Sequence, residues 1–227
     1  MNDMSQSTKI AIIGGTGREG RGLAYRWAKS GFQILIGSRT PLKATDAALE
    51  INQLLDNKHQ ISGTTNEKAA SEAEIIVLTI PYIAHIDTIN SIKHFLLGKL
   101  VIDVTVPLVP PKVTKVQMPS AGSAAQETKL ILGEEVEVAA AFHNISYEHL
   151  IGEPGLVSCD VLVTGSSLAA RERALTLVKS AGFIGWDAGP LENSVVLEGL
   201  TSILIGINRR YGSKNAGIQI TGVVRQP

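Results

Sequence analysis

A six-residue run, Gly15-Thr16-Gly17-Arg18-Glu19-Gly20, follows directly on the apolar stretch Lys9-Ile10-Ala11-Ile12-Ile13 and opens a segment of helical period. Strand, then G-x-G-x-x-G, then helix is the order that most restricts what this chain can become. The first glycine permits a tight turn, the second lets phosphates approach the backbone, and the third allows close helix–strand packing. The helix N-terminus meanwhile presents free N–H groups to an anion. An ordinary glycine turn could share the spacing, but the flanking pattern favours a dinucleotide held by Gly15, Thr16, Gly17, Arg18, Glu19 and Gly20.

Beyond this run, short β-branched stretches alternate with longer ones of helical period, the signature of an α/β fold with a doubly wound, mostly parallel sheet. Strands are predicted at 9–13, 32–36, 74–80, 100–105, 137–142, 160–164 and 184–187. Helices are predicted from the glycine run to a cap at Gly31, from an N-cap at Thr40 with Pro41 to about Leu55, over 171–180, and over 193–211. Residues 106–119 read as a loop because Pro107, Pro110, Pro111 and Pro119 exclude regular structure. The expected organisation is a dinucleotide-binding Rossmann-like domain over 1–188 and a small C-terminal helical lobe over 189–227. The last helix is apolar around most of its circumference, so it wants burial against another lobe or a second subunit.

Composition removes other classes. The 227 residues carry 21 Lys plus Arg against 21 Asp plus Glu, so the broad basic footprint of a nucleic-acid binder is missing. One cysteine, Cys159, precludes an internal disulfide and reads as a small buried hydrophobe. The stretch 195–207 is broken by Glu198 and two glycines and falls short of the ~20 residues needed to span a bilayer. With a polar start to the chain, a cytoplasmic protein without membrane partners is expected. Five histidines form no H-E-x-x-H or Cys/His cluster, so no metal site is expected. No G-x-S-x-G elbow offers a nucleophile.

The choice of dinucleotide falls at the end of the second strand, where an acidic residue would bind the ribose 2′-hydroxyl of NAD. The chain instead places Ser38 and Arg39 there, with Lys43 a helical turn later. A hydroxyl and two cations suit a 2′-phosphate, so NADP is expected. Cations at the positive end of a helix are otherwise poorly matched.

In such folds ligands gather beyond the carboxyl ends of the strands. Ile80, Pro81, Leu108 and Ile145 there would supply apolar faces, and Thr79, Tyr82, Thr105, His143 and Asn144 directional polar contacts. A purely structural role remains open for each, and Asp103 reads as structural.

The run Gly14-Gly15-Thr16-Gly17 through Gly22-Leu23-Ala24, together with Ile36-Gly37-Ser38-Arg39 and Leu78-Thr79-Ile80-Pro81, resembles the NADPH-dependent coenzyme F420 reductases. So do Asp187-Ala188-Gly189-Pro190-Leu191, Leu197-Glu198-Gly199-Leu200-Thr201 and Gly206-Ile207-Asn208-Arg209-Arg210-Tyr211, and the likeness spans nearly the whole chain. The resemblance implies reversible hydride transfer between NADP and the deazaflavin F420, in a homodimer. It implies that Thr16, Ser38, Arg39 and Lys43 hold the 2′-phosphate and that Ile80 and Pro81 border the nicotinamide. The Thr105–Leu108 loop, the His143–Ile145 turn and the last helix would then border the deazaflavin, with His143, Pro81 and Ile145 at the reacting rings. Archaeal members carry Trp after the Ile-Pro pair and Thr-Ile-Pro after the histidine, where this chain has Tyr82 and Asn144-Ile145-Ser146. Other readings of the same residues are a reductase of another flavin or small imine, and an NADP sensor that transfers nothing.

Overall fold

The computed structural model describes residues 8–151 and 159–224. The polar run before Thr8 lies outside them, as does the extreme C-terminus. Strand β1 (Lys9–Ile13) is apolar on both faces because it runs through the middle of the sheet, where Ile10, Ala11, Ile12 and Ile13 are wholly buried. Helix α1 (Arg18–Lys29) returns over it with Leu23, Ala24, Trp27 and Ala28 on the buried face, and ends where Gly31 takes the left-handed conformation. Strand β2 (Gln33–Ser38) and helix α2 (Pro41–Leu54) repeat the unit.

Next come an unforeseen strand β3 (Ile61–Thr65) and a short helix α3 (Asn66–Glu72). Strand β4 (Ile75–Leu78), helix α4 (His85–Ile92) and strand β5 (Leu100–Asp103) follow. After the proline-rich loop come helix α5 (Ala124–Leu132), strand β6 (Glu137–Ala140), strand β7 (Asp160–Gly165), helix α6 (Leu168–Ser180), strand β8 (Ile184–Pro190) and helix α7 (Ser194–Tyr211). Several predicted strands overran their ends. Those at 74–80, 100–105 and 137–142 stop at Leu78, Asp103 and Ala140, because the chain there leaves the sheet to line the cleft described below.

The sheet order is β3-β2-β1-β4-β5-β6-β7-β8, parallel throughout except where β7 runs antiparallel to β6. Strand order reverses between β1 and β4, and a doubly wound sheet opens its ligand crevice at that switch point. Within the helical lobe expected over 189–227, helix α7 ends at Tyr211, and residues 213–224 form neither helix nor strand. There the main chain of Ile218 accepts from Asp160 N at 2.9 Å, and Ile220 N donates to Asp160 Oδ2 at 2.7 Å.

Candidate active site

The glycine run behaves as its spacing requires. A Cβ on Gly20 would lie 2.6 Å from Gly15 Cα and 2.7 Å from Thr79 Oγ1, so the third glycine exists for contact between α1 and the sheet. A Cβ on Gly17 would meet nothing nearer than Gly14 O at 4.0 Å, which leaves an open approach to the backbone. Gly17 caps α1 and Thr40 caps α2, and neither helix start receives a side-chain cap bond. Thr40 caps α2 as expected but without a bond from its hydroxyl, and both helix ends keep N–H groups for an anion.

A cleft of about 910 Å³ runs from these helix ends across β4 and β5 to α7, large enough for two ring systems side by side. Of the residues singled out in the sequence, Thr16, Gly17, Glu19, Ser38, Arg39, Thr79, Ile80, Pro81, Thr105, Leu108, His143 and Ile145 line it. Gly15, Arg18, Gly20 and Lys43 do not. Gly15 and Gly20 are buried behind the loop, and Arg18 turns outward, its Nη1 donating to Tyr147 Oη at 2.5 Å with the guanidinium 4.9 Å from that ring. Thr79 Oγ1 donates to Ile13 O at 3.1 Å, so its proton serves the sheet. Ser38 Oγ accepts from Thr40 N at 3.2 Å and keeps its own proton to donate.

Three cleft residues carry buried polar atoms with no partner: Glu19 Oε1, Thr105 Oγ1, and both ring nitrogens of His143. Such orphans are costly unless something polar occupies the cleft, and they fit a ligand rich in phosphate, amide and ring oxygens. Burial pushes the Glu19 carboxyl up to about 8, so near neutral pH it carries a proton. Burial also drives His143 down to about 4, although the nearby carboxylate and main chain of Asp103 pull the other way. Its imidazole is therefore neutral.

The turn that delivers His143 rests on Phe142, a bulky residue at φ 69°, a conformation that costs about 1–3 kcal/mol and persists only when packing dictates it. Trp27 meets Phe142 edge-on at 5.7 Å and Phe183 does so at 6.3 Å. Thr201 Oγ1 on α7 donates to His143 O at 2.6 Å, and Asn144 Nδ2 donates to Asp160 O at 2.6 Å. Asn144 thus has its amide committed to β7. Cys159 lies beneath it, buried, as the sequence suggested.

Several cleft residues escaped sequence reading. Asn66, at the start of α3, accepts from Gly14 N at 3.4 Å and so ties the glycine turn to the sheet edge. Lys214 and Ala216 reach the cleft from the segment after α7, which Ser146 Oγ holds by donating to Lys214 O at 2.9 Å. Helix α7, which the resemblance had already placed at the cleft, contributes Thr201, Leu204, Ile205 and Asn208, and is itself fixed by Glu198, which accepts from Ala124 N at 2.7 Å and Ala125 N at 3.1 Å.

A glycine loop at the switch point, two helix starts without side-chain caps, and a serine and an arginine where an acid would repel a 2′-phosphate define a Rossmann protein of the NADP-dependent oxidoreductase class. The family profile of coenzyme F420-dependent NADP oxidoreductases matches residues 9–107. The F420-dependent NADP reductase of Methanothermobacter marburgensis is 38% identical over 221 residues, 95% of this chain and 99% of that protein. That of Methanocaldococcus jannaschii is 38% identical over 222 residues, again 95% and 99%. A crystal structure of a candidate F420-dependent NADP reductase from Arthrobacter sp. FB24 superposes with a TM-score of 0.79 at 24% identity, covering 95% of this chain and 100% of the other. This chain belongs to the F420-dependent NADP reductase family.

Proposed function

We propose that the protein transfers a hydride reversibly between NADP(H) and the deazaflavin coenzyme F420. What carries the reading is the continuity of the cleft: the phosphate-binding glycine loop and Arg39 at one end open into an apolar-walled space bounded by Ile80, Pro81, Leu108 and Ile145 at the other. The nicotinamide and deazaflavin rings supply the redox chemistry, and the residues position them, exclude water and place hydrogen-bonding groups at their edges. Ser38 and Arg39 would hold the 2′-phosphate, with Lys43 reaching it from the first turn of α2. Gly17 and the N–H groups of Thr16, Arg18 and Glu19 would form the pyrophosphate cradle, with Gly15 and Gly20 behind it allowing the turn and the close packing of α1. Pro81 and Ile145 would press the two rings together, Thr105 would donate from its unpartnered hydroxyl, and neutral His143 would hydrogen-bond the deazaflavin edge.

In this reading residues 1–188 bind the nucleotide, while 189–227 complete the deazaflavin side and the interface of a homodimer, acting in the cytoplasm on small molecules rather than nucleic acid. Val196, Ile203 and Tyr211 on α7 are exposed and support that interface.

Equilibrium binding of NADPH and NADH tests the nucleotide half. NADPH should bind at least ~10-fold tighter, and Arg39→Glu should cost about 2–3 kcal/mol of NADPH binding while leaving turnover nearly unchanged. Equal affinities before and after the substitution would contradict it.

A further inference from the structure

Behind the cleft wall lies a line of acid–base side chains that positioning of the two rings does not use. Tyr82 lines the cleft and its hydroxyl donates to Glu127 Oε2 at 3.0 Å. Its ring stacks on that of His85, centroids 5.9 Å apart. The wholly buried His85 lies between two carboxylates, with Nε2 2.8 Å from Asp103 Oδ2 and Nδ1 3.8 Å from Glu127 Oε2. Asp103 is saturated, since Oδ2 also accepts from Thr128 Oγ1 at 2.6 Å and Oδ1 accepts from Thr105 N at 2.9 Å. His85 Nδ1 has no hydrogen-bond partner. One end of this line meets the cleft, and Glu127 keeps a 15% exposed edge.

Oxidation of a reduced deazaflavin by NADP+ releases one proton besides the hydride, and something must take it. His143, held near 4, is a poor base for the task. We propose that Tyr82 and Glu127 form a proton relay in the cleft wall, a role that rests on the hydride-transfer reading above. As the hydride and its two electrons pass to the nicotinamide, the Tyr82 oxygen accepts the proton from the deazaflavin ring nitrogen and the phenol proton moves to Glu127 Oε2. The ring N–H bond and the original Tyr82 O–H bond break, and a new Tyr82 O–H bond and a Glu127 O–H bond form. Glu127 then discharges to solvent through its exposed edge, and the reverse reaction runs the same steps backwards. Tyr82 is faced by Glu127 on α5, His85 on α4 and Glu198 on α7, with Asp103 behind His85. Burial first, then the bond to Glu127 and the charges of Glu127 and Glu198, push the phenol up to about 12. Tyr82 therefore passes a proton on rather than resting as tyrosinate.

The test uses Tyr82→Phe and Glu127→Gln. In the substrate-free protein, the tyrosinate absorbance that Tyr82→Phe removes should titrate lower in Glu127→Gln, toward the ordinary phenol value; an unmoved titration overturns the pairing. In single turnovers from reduced deazaflavin to NADP+, both variants should slow by about 10²-fold, lose the solvent deuterium isotope effect of the parent and keep its NADP+ affinity. An active parent with variants of unchanged rate and isotope effect overturns the relay alone, whereas a parent inert toward deazaflavin overturns the hydride-transfer reading with it.

Discussion

Trp27 meets Phe142 edge-on at 5.7 Å, and this contact between α1 and the end of β6 sets where His143 stands in the cleft. Phe142 is held at φ 69° by the packing around it, so removal of its ring takes away the force that sustains the turn. Phe142→Ala should destabilise the protein by about 3–5 kcal/mol in denaturant unfolding. The His143 ring resonances should shift in the protein that remains folded.

Gly17 and Gly20 separate binding from packing. Gly17→Ala places its methyl group in the open approach to the loop, so the melting temperature should hold while NADPH affinity falls by roughly tenfold or more. Gly20→Ala drives a methyl group against Gly15 and Thr79 and should cost about 1–3 kcal/mol of stability. Thermal unfolding beside nucleotide titration resolves the two effects.

Glu19 faces the phosphate loop with a carboxyl pushed up to about 8. Near neutral pH it is protonated and can donate to an anion, and as pH rises through that value it becomes a negative charge beside one. NADPH affinity should therefore weaken by about tenfold for each pH unit above the transition, and Glu19→Gln should flatten the dependence. Calorimetric titration across about pH 6.5 to 9.5 checks the slope.

His143 makes an acid-side contribution of the opposite sense. Its folded value of about 4 lies below the unfolded 6.5, so the unfolded chain binds more protons between them. The associated stability is complete above 6.5 and is lost as pH falls toward 4, by about 3 kcal/mol in all. His143→Gln should remove that slope from unfolding curves measured over the window.

Much of this site could be read along the chain because it is built from local pattern. The consecutive β-branched residues of β1, the glycine run and the Ser38-Arg39 pair sit next to one another in sequence as they do in space. The edge strand β3 was missed because Ile61-Ser62-Gly63-Thr64-Thr65 has no apolar alternation. Pairing with β2 makes it a strand, and Gly63 admits the backbone of α2 at Ala44. Helix α4 hid because its buried face mixes His85 and Thr88 with Ile89 and Ile92. Helix α5 has its first N–H groups satisfied by Glu198, 74 residues away, and only the folded topology supplies that partner. The reversal of β7 and the segment carrying Lys214 into the cleft likewise depend on distant contacts with Ser166, Asp160 and Ser146.

The most direct measurement mixes the purified protein with oxidised deazaflavin and either NADPH or NADH, and follows the deazaflavin absorbance near ~420 nm. Rapid bleaching with NADPH, at least ~10-fold slower with NADH at equal subsaturating concentration, is the expected result. A deazaflavin spectrum unchanged by NADPH, or bleached equally fast by both nucleotides, would contradict the assignment of Arg39 and the cleft to NADP-linked hydride transfer.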